Sequence, residues 1–209
     1  MGFKALIKKY ILPKEIDFIG MIQEQSHATH KIIVSLYNCF IEQSDMDCDL
    51  IIEDEYNTQQ LKSKNMQQLL NAFITPIDRE SIYRTITQLD WIAISVQELV
   101  METKAYDIHY LPQYSTMFDL LYKASRSLDE GFSTLGSSNQ AKISRIADKT
   151  REAIYELNQE YIVQMVVLSK SSDFRVIFTQ KEILWQLKEI GKRIHVCTNT
   201  LQDIVVKMD

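Results

Sequence analysis

From residue 183 to residue 204 the chain keeps one rhythm: Ile183, Leu187, Ile190, Ile194, Cys197, Leu201 and Ile204 fall at alternating steps of four and three residues, and Met208 continues it. Such spacing keeps a single apolar seam along one side of a helix and suits it to a partner with the same seam. The rhythm recurs in Ile82, Ile86, Leu89, Ala93, Val96 and Val100, and again in Ile143, Ile146, Thr150, Ile154, Leu157, Tyr161, Gln164 and Leu168. Near the N-terminus it runs through Ile19, Ile22, Ser26, Thr29, Ile33, Leu36 and Phe40. Only 5 Gly and 3 Pro punctuate the 209 residues, too few for a turn-rich β protein. The pattern predicts an all-α fold, an antiparallel up-and-down bundle of about six long helices in one domain spanning residues 1–209.

The breaks lie between these runs. The first helix is expected from about Lys14 to Gln43, with a break over Ser44 to Asp49, and the second from about Leu50 to Phe73. A polar and aromatic connector, Lys104 to Pro112, precedes a fourth helix that ends at Gly136-Ser137-Ser138. The cluster Ser169 to Asp173 separates the fifth helix from the sixth. The second helix is the odd one. From Asn57 to Gln68 its clear apolar residues are Leu61 and Met66. Either it lies at the outside of the bundle or its amides line a wet interior cleft, and the exposed position is preferred.

Charge and cysteine content narrow the function. The net charge is −5, with acids and bases interspersed, which argues against a nucleic-acid binder and its basic face. Cys39, Cys48 and Cys197 are odd in number and lack metal-type spacing, so they read as reduced, with Cys39 and Cys197 in helix cores. The longest apolar stretch, Tyr161 to Leu168, is interrupted by Gln164 and falls far short of the ~20 residues of a spanning helix. The N-terminus does not read as a secretory signal, and the expected location is cytoplasmic. There is no G-x-S-x-G, H-E-x-x-H, C-x-x-C, Walker A or G-x-G-x-x-G pattern, so an enzyme is not expected. Scarce glycine also argues against a loop that cradles phosphate.

One stretch is more specific. Phe73 to Ile82 reads FITPIDRESI. Thr75 can serve as N-cap, Pro76 suits the first helical position, Asp78 can reach back to the cap, and acidic Asp78 and Glu80 suit the positive end of the helix dipole. Physics alone makes Thr75, Pro76, Asp78, Arg79 and Glu80 the joint between two long helices. The motif ITPIDRE-x-I also resembles the PhoU-like family, and in particular its short single-domain subfamily associated with Pit-type phosphate transporters. The resemblance extends upstream through Leu12-Pro13-Lys14-Glu15, Phe18 and Gln23-Glu24-Gln25, and returns in Leu201 to Lys207. It implies two three-helix units and a regulatory or accessory role in inorganic phosphate transport.

The family also implies metal-binding carboxylate pairs at helical spacing, and here those pairs are incomplete. Glu55 is followed by Gln59, Asp90 by Trp91 and Ile94, and the fifth-helix pair becomes Ser144 and Asp148. On the sixth helix Lys192 or His195 stands with Val196 and Asn199. Glu55, Asp90 and Asp148 remain the metal candidates, set against ordinary solvated or salt-bridged helix residues. No cofactor is expected with assurance, and a divalent or transition metal stays open. His27 and His30, three apart, are a weak metal signal without a third ligand.

The segment before Pro13 carries Phe3, Leu6, Ile7, Tyr10 and Ile11 as an apolar stripe flanked by Lys4, Lys8 and Lys9. Residues 1–12 thus form a short basic amphipathic segment, which either folds back on the bundle or docks at a membrane or partner. Phe3, Lys4, Lys8 and Lys9 are the contact candidates. The expected function is that of a cytosolic, non-enzymatic accessory protein of phosphate transport, acting by protein–protein contact with a phosphate transporter or other membrane protein at the cytoplasmic face. It would be cytoplasmic or peripheral to the inner face of the membrane, with a homo-oligomer left open. The alternative is a metal-binding bundle for storage, sensing or di-metal chemistry.

Overall fold

The structure, a computed structural model, describes residues 16–137 and 139–207, with the backbone alone at 45–47. The N-terminal contact candidates Phe3, Lys4, Lys8 and Lys9 lie outside the described residues, as do Leu12, Pro13 and Met208. Six helices carry the described chain: α1 (Phe18–Phe40), α2 (Asp45–Asn71), α3 (Arg79–Ala105), α4 (Ser115–Ser133), α5 (Gln140–Leu168) and α6 (Phe174–Lys207). A 3-10 turn, Pro112–Tyr114, leads into α4. Among the described residues there is no strand.

Helices α1 to α3 pack on one another as one three-helix unit and α4 to α6 as a second; α1 lies against α4 and α3 against α6. The all-α bundle is thus as expected, and so is the core. Ile183, Leu187, Ile190, Ile194, Cys197, Leu201 and Ile204 are all fully buried, as are Ile82, Ile86, Leu89, Val96 and their neighbours on α3. Two glycines let helices approach closely. A Cβ on Gly191 would run into Leu157, and one on Gly131 would meet Leu201 at 2.6 Å.

The joint between α2 and α3 is where expected but is built differently. Thr75 does not cap α3. The helix begins at Arg79, and its cap is Asp78, whose carboxylate accepts from the Ser81 N–H at 2.9 Å and from the Ser81 hydroxyl at 2.6 Å. The chain turns through a bend at 76–77 in place of a first helical turn, so the helix start moves three residues on. Arg79 completes the joint from the other side: its guanidinium donates to the carbonyls of Leu69 (3.0 Å) and Ala72, satisfying the last turn of α2. Lys207, at the end of α6, reaches Asp78 at 3.1 Å. The two Ser81 hydrogen bonds and Lys207 hold the Asp78 carboxyl down at about 2.

The reduced-cysteine expectation is also overturned. Cys39 is bonded to Cys48, with Cα atoms 5.0 Å apart. Helix α2 starts at Asp45 rather than near Leu50, so the break is only 41–44 and Cys48 sits in the first turn of α2, facing the last turn of α1. Cys197 remains a free, buried thiol, and burial pushes its pKa far up.

Two predictions follow from these ends. Asp78→Ala should lower stability by about 1 kcal/mol in urea unfolding, while Thr75→Ala leaves the midpoint unchanged. Because the folded Asp78 pKa lies below its ordinary 3.8, this contribution is present above that pH and fades as pH falls towards 2. Thiol titration of unreduced, unfolded protein should find Cys197 alone. Replacing Cys39 and Cys48 by serine should cost about 2–3 kcal/mol of unfolding free energy.

Candidate functional site

Helix α2 does have an inward face, and that face is polar. Ile51, Glu55, Thr58, Lys62, Asn65 and Leu69 follow one another at steps of four and three residues. Glu55, Thr58 and Asn65 are buried between apolar ends. The preferred exposed position of α2 therefore holds for one side of the helix alone. Its glutamines Gln59, Gln60 and Gln67 do face solvent, but Asn65 and two charged side chains of the same helix point into the first unit.

The seam has two halves. In one, Asn65 donates to the Gln25 carboxamide oxygen at 3.0 Å, and Gln25 in turn donates to the Ile86 carbonyl at 3.0 Å, so one amide ties α1 to both neighbours. Thr29 adds a hydroxyl bond to the Gln25 carbonyl at 2.9 Å. In the other half, Lys62 Nζ lies 2.5 Å from Asp90 Oδ2, and Gln97 donates to Glu55 Oε2 at 3.0 Å. The Asp90 side chain is 1% exposed, and its Oδ1 has no protein partner.

The two acids feel each other. Burial pushes the Glu55 carboxyl above the ordinary range, the Asp90 charge pushes it further, and the Gln97 bond and Lys62 oppose both. Sequence reasoning singled out Glu55 and Asp90 as metal candidates, and the fold does bring them together across α2 and α3. It does not bring Asp148 to them. That residue is on α5 in the second unit, largely exposed, and paired with Arg151 at 3.3 Å. Arg151 also donates to Asn199 (2.9 Å) and to Gln202 on α6. In each unit a fixed cation, Lys62 or Arg151, stands where the carboxylates would otherwise need one. Among the described residues no three His, Cys, Asp or Glu side chains gather as a metal-holding group. The donor set does not fit a metal centre, because Asp90 already faces the Lys62 ammonium, Asp148 the Arg151 guanidinium and Glu55 the Gln97 amide.

The histidines turn elsewhere. His27 lies 3.2 Å from Asp129 and His30 2.9 Å from Ser125, both on α4, so they do not converge on one point. Burial lowers the His30 pKa, and the Asp129 charge opposes it. Trp91 is half-exposed beneath the Arg193 guanidinium. Beside the seam, α1 and α2 frame an open groove of about 530 Å³ whose wall includes Lys31 and Asp54, 2.8 Å apart.

Sequence reasoning missed Lys62, Asn65, Gln25 and Gln97. For Lys62 and Asn65 the signal was the three-and-four spacing of Glu55, Thr58, Lys62 and Asn65 along α2, a helix read there only for its few apolar residues.

Two crystal structures share this arrangement of helices. One is a PhoU-like protein from Shewanella oneidensis MR-1, matched over 91% of this chain and 99% of that one with a TM-score of 0.77 at 13% identity. The other, a proposed PhoU-like phosphate regulatory protein from the same organism, matches over the same shares with a TM-score of 0.70 at 12% identity. At such identities the likeness is one of fold. No family model and no curated protein sequence matches the chain.

Lys62→Met should leave Asp90 buried without its cation and cost about 3 kcal/mol in urea unfolding, while Lys62→Met with Asp90→Leu should return near wild type. Glu55 has the opposite pH sign to Asp78. Its folded pKa is raised, so its contribution is full below the unfolded value of 4.5 and is lost as pH rises through the folded one. Glu55→Gln should flatten that decline and raise stability at neutral pH.

Proposed function

We propose that the chain is a non-enzymatic regulatory protein of inorganic phosphate transport that acts by protein–protein contact at the cytoplasmic face of a phosphate transporter. The observation that carries this is the fold: two three-helix units matching PhoU-like phosphate regulatory proteins along nearly their whole length. The Pit-type association rests on the ITPIDRE-x-I motif at residues 74–82. Among the described residues no helix is long and apolar enough to cross a membrane, so a membrane partner would be reached from outside the bilayer. Phe3, Lys4, Lys8 and Lys9 are the proposed contact residues, with lysines suited to anionic headgroups and Phe3 to the interface. A cytoplasmic site would also require Cys39 and Cys48 to tolerate reduction.

The chemistry of the seam supports a scaffold over a catalyst. Lys62 is committed to Asp90 on α3, and Arg151 to Asp148 on its own helix and to Asn199 and Gln202 on α6, and such pairs fix geometry more than they perform turnover. The metal-binding bundle is the competing reading, and it rests on the proximity of Glu55 and Asp90.

Deleting the gene should change phosphate uptake by cells, and full-length protein should pellet with transporter-containing membranes more than a chain starting at Pro13. Equal pelleting of the two would remove residues 1–12 from the contact. Elemental analysis of protein purified without added metal should find less than one tightly bound transition metal per chain. Stoichiometric metal lost on Glu55→Gln or Asp90→Asn would favour the metal reading.

A further inference from the structure

Towards its C-terminal end the outer side of α5 is apolar where a helix facing water should be polar. Tyr155, Ile162, Val163, Val166 and Val167 are each more than half exposed, the last at 59%. The inward side is spoken for, because Leu157 and Leu168 are buried against the second unit and Tyr161 packs under Lys188 of α6. This stretch belongs to a hairpin that outruns α3. Gln186 of α6 already meets Glu102 in the last turn of α3, so the first turns of α6 and the part of α5 beside them extend past that helix, with Gln180 still bonded to Gln113 of the turn before α4 at 3.2 Å. At the tip, Phe174 and Phe178 stack on each other in the open, 77% and 50% exposed.

We propose that this face is a self-complementary dimer interface, on which α5 packs antiparallel against α5 of a second copy about a two-fold axis at Val163. Two observations fix the occupant. The first is charge register. Glu156 and Val163 lie seven residues apart on the outer side of α5, and Lys170 follows after the same interval, in the turn just past the helix end at Leu168. An antiparallel pairing centred on Val163 sets Glu156 of each copy opposite Lys170 of the other, twice per dimer, as an isologous interface requires. Among the described residues neither side chain has an ion-pair partner in its own chain, and both are exposed. A parallel pairing would set like charges against each other. The second is area. At about 200 Å² for each fully open large side chain, the exposed apolar residues of the hairpin offer on the order of 800 Å². That is above the largest patch of an ordinary monomer and near what each partner of a standard interface covers.

The full-length protein should sediment as a dimer at equilibrium. Val163→Lys places two like charges on the axis and should give a monomer with unchanged helical circular dichroism. Glu156→Lys and Lys170→Glu should each raise the dimer dissociation constant about tenfold, and the double reversal should restore it to within about threefold of wild type, since it rebuilds the pair with opposite sign. A monomeric wild type at about 100 μM would overturn the proposal. So would a dimer indifferent to Val163→Lys, or a double reversal as weak as the single ones. A monomer that co-pellets with phosphatidylglycerol vesicles and loses that ability on Val163→Lys would assign the face to a lipid surface and overturn the dimer.

Discussion

The seam of α6 is the constraint on which the rest of the bundle depends. It is the longest helix, and its buried side meets α3 from the first unit as well as α4 and α5 from its own. Every residue of the four-three rhythm from Ile183 to Ile204 is withdrawn from water. Each fully buried aliphatic side chain is worth about 1.5–3 kcal/mol relative to exposure, so this one seam outweighs any hydrogen bond in the molecule. The close approach behind it depends on having no Cβ at Gly191, where Leu157 of α5 occupies the space, and none at Gly131, where Leu201 does.

Against that background α2 follows a different logic. Its inward face exchanges aliphatic burial for Glu55, Thr58, Lys62 and Asn65. A buried ion pair adds little stability, because desolvation consumes most of the Coulombic gain. What it adds is register. Sliding α2 by one turn would part Asn65 from Gln25 and Lys62 from Asp90 at once, stranding several buried polar groups. Apolar residues alone would not object to such a slip, since one leucine contact resembles another.

Helix periods and the core of α1, α3, α5 and α6 were legible in the sequence because apolar spacing reports burial directly. Leu36, Leu89, Leu157 and Ile194 lie where their spacing placed them. The joint at 73–82 was legible as a joint, but Thr75 and Asp78 are both good caps, and the partners that Asp78 and Arg79 find, Ser81, Lys207 and the end of α2, cannot be read from the local sequence. The Cys39–Cys48 bond was hidden because it depends on where α2 begins, a boundary that the polar run 44–49 leaves soft. Of the candidate site, the acids Glu55 and Asp90 were visible as residue types. Their cation Lys62 was not, since a lysine on a polar helix reads as solvated until a partner helix is laid against it.

The two ends of α2 are stapled by means that differ from those that hold its middle. Cys48 is held to α1 by a covalent bond, and the last turn is held by the Arg79 guanidinium on the Leu69 and Ala72 carbonyls. Between them the helix rests on polar contacts and little buried hydrocarbon. Ordinary helices fray from their termini inward. This one is clamped at both ends, so the amides of its first and last turns should exchange with solvent deuterium no faster than those of its middle, like a plank fixed at both ends that cannot lift from either.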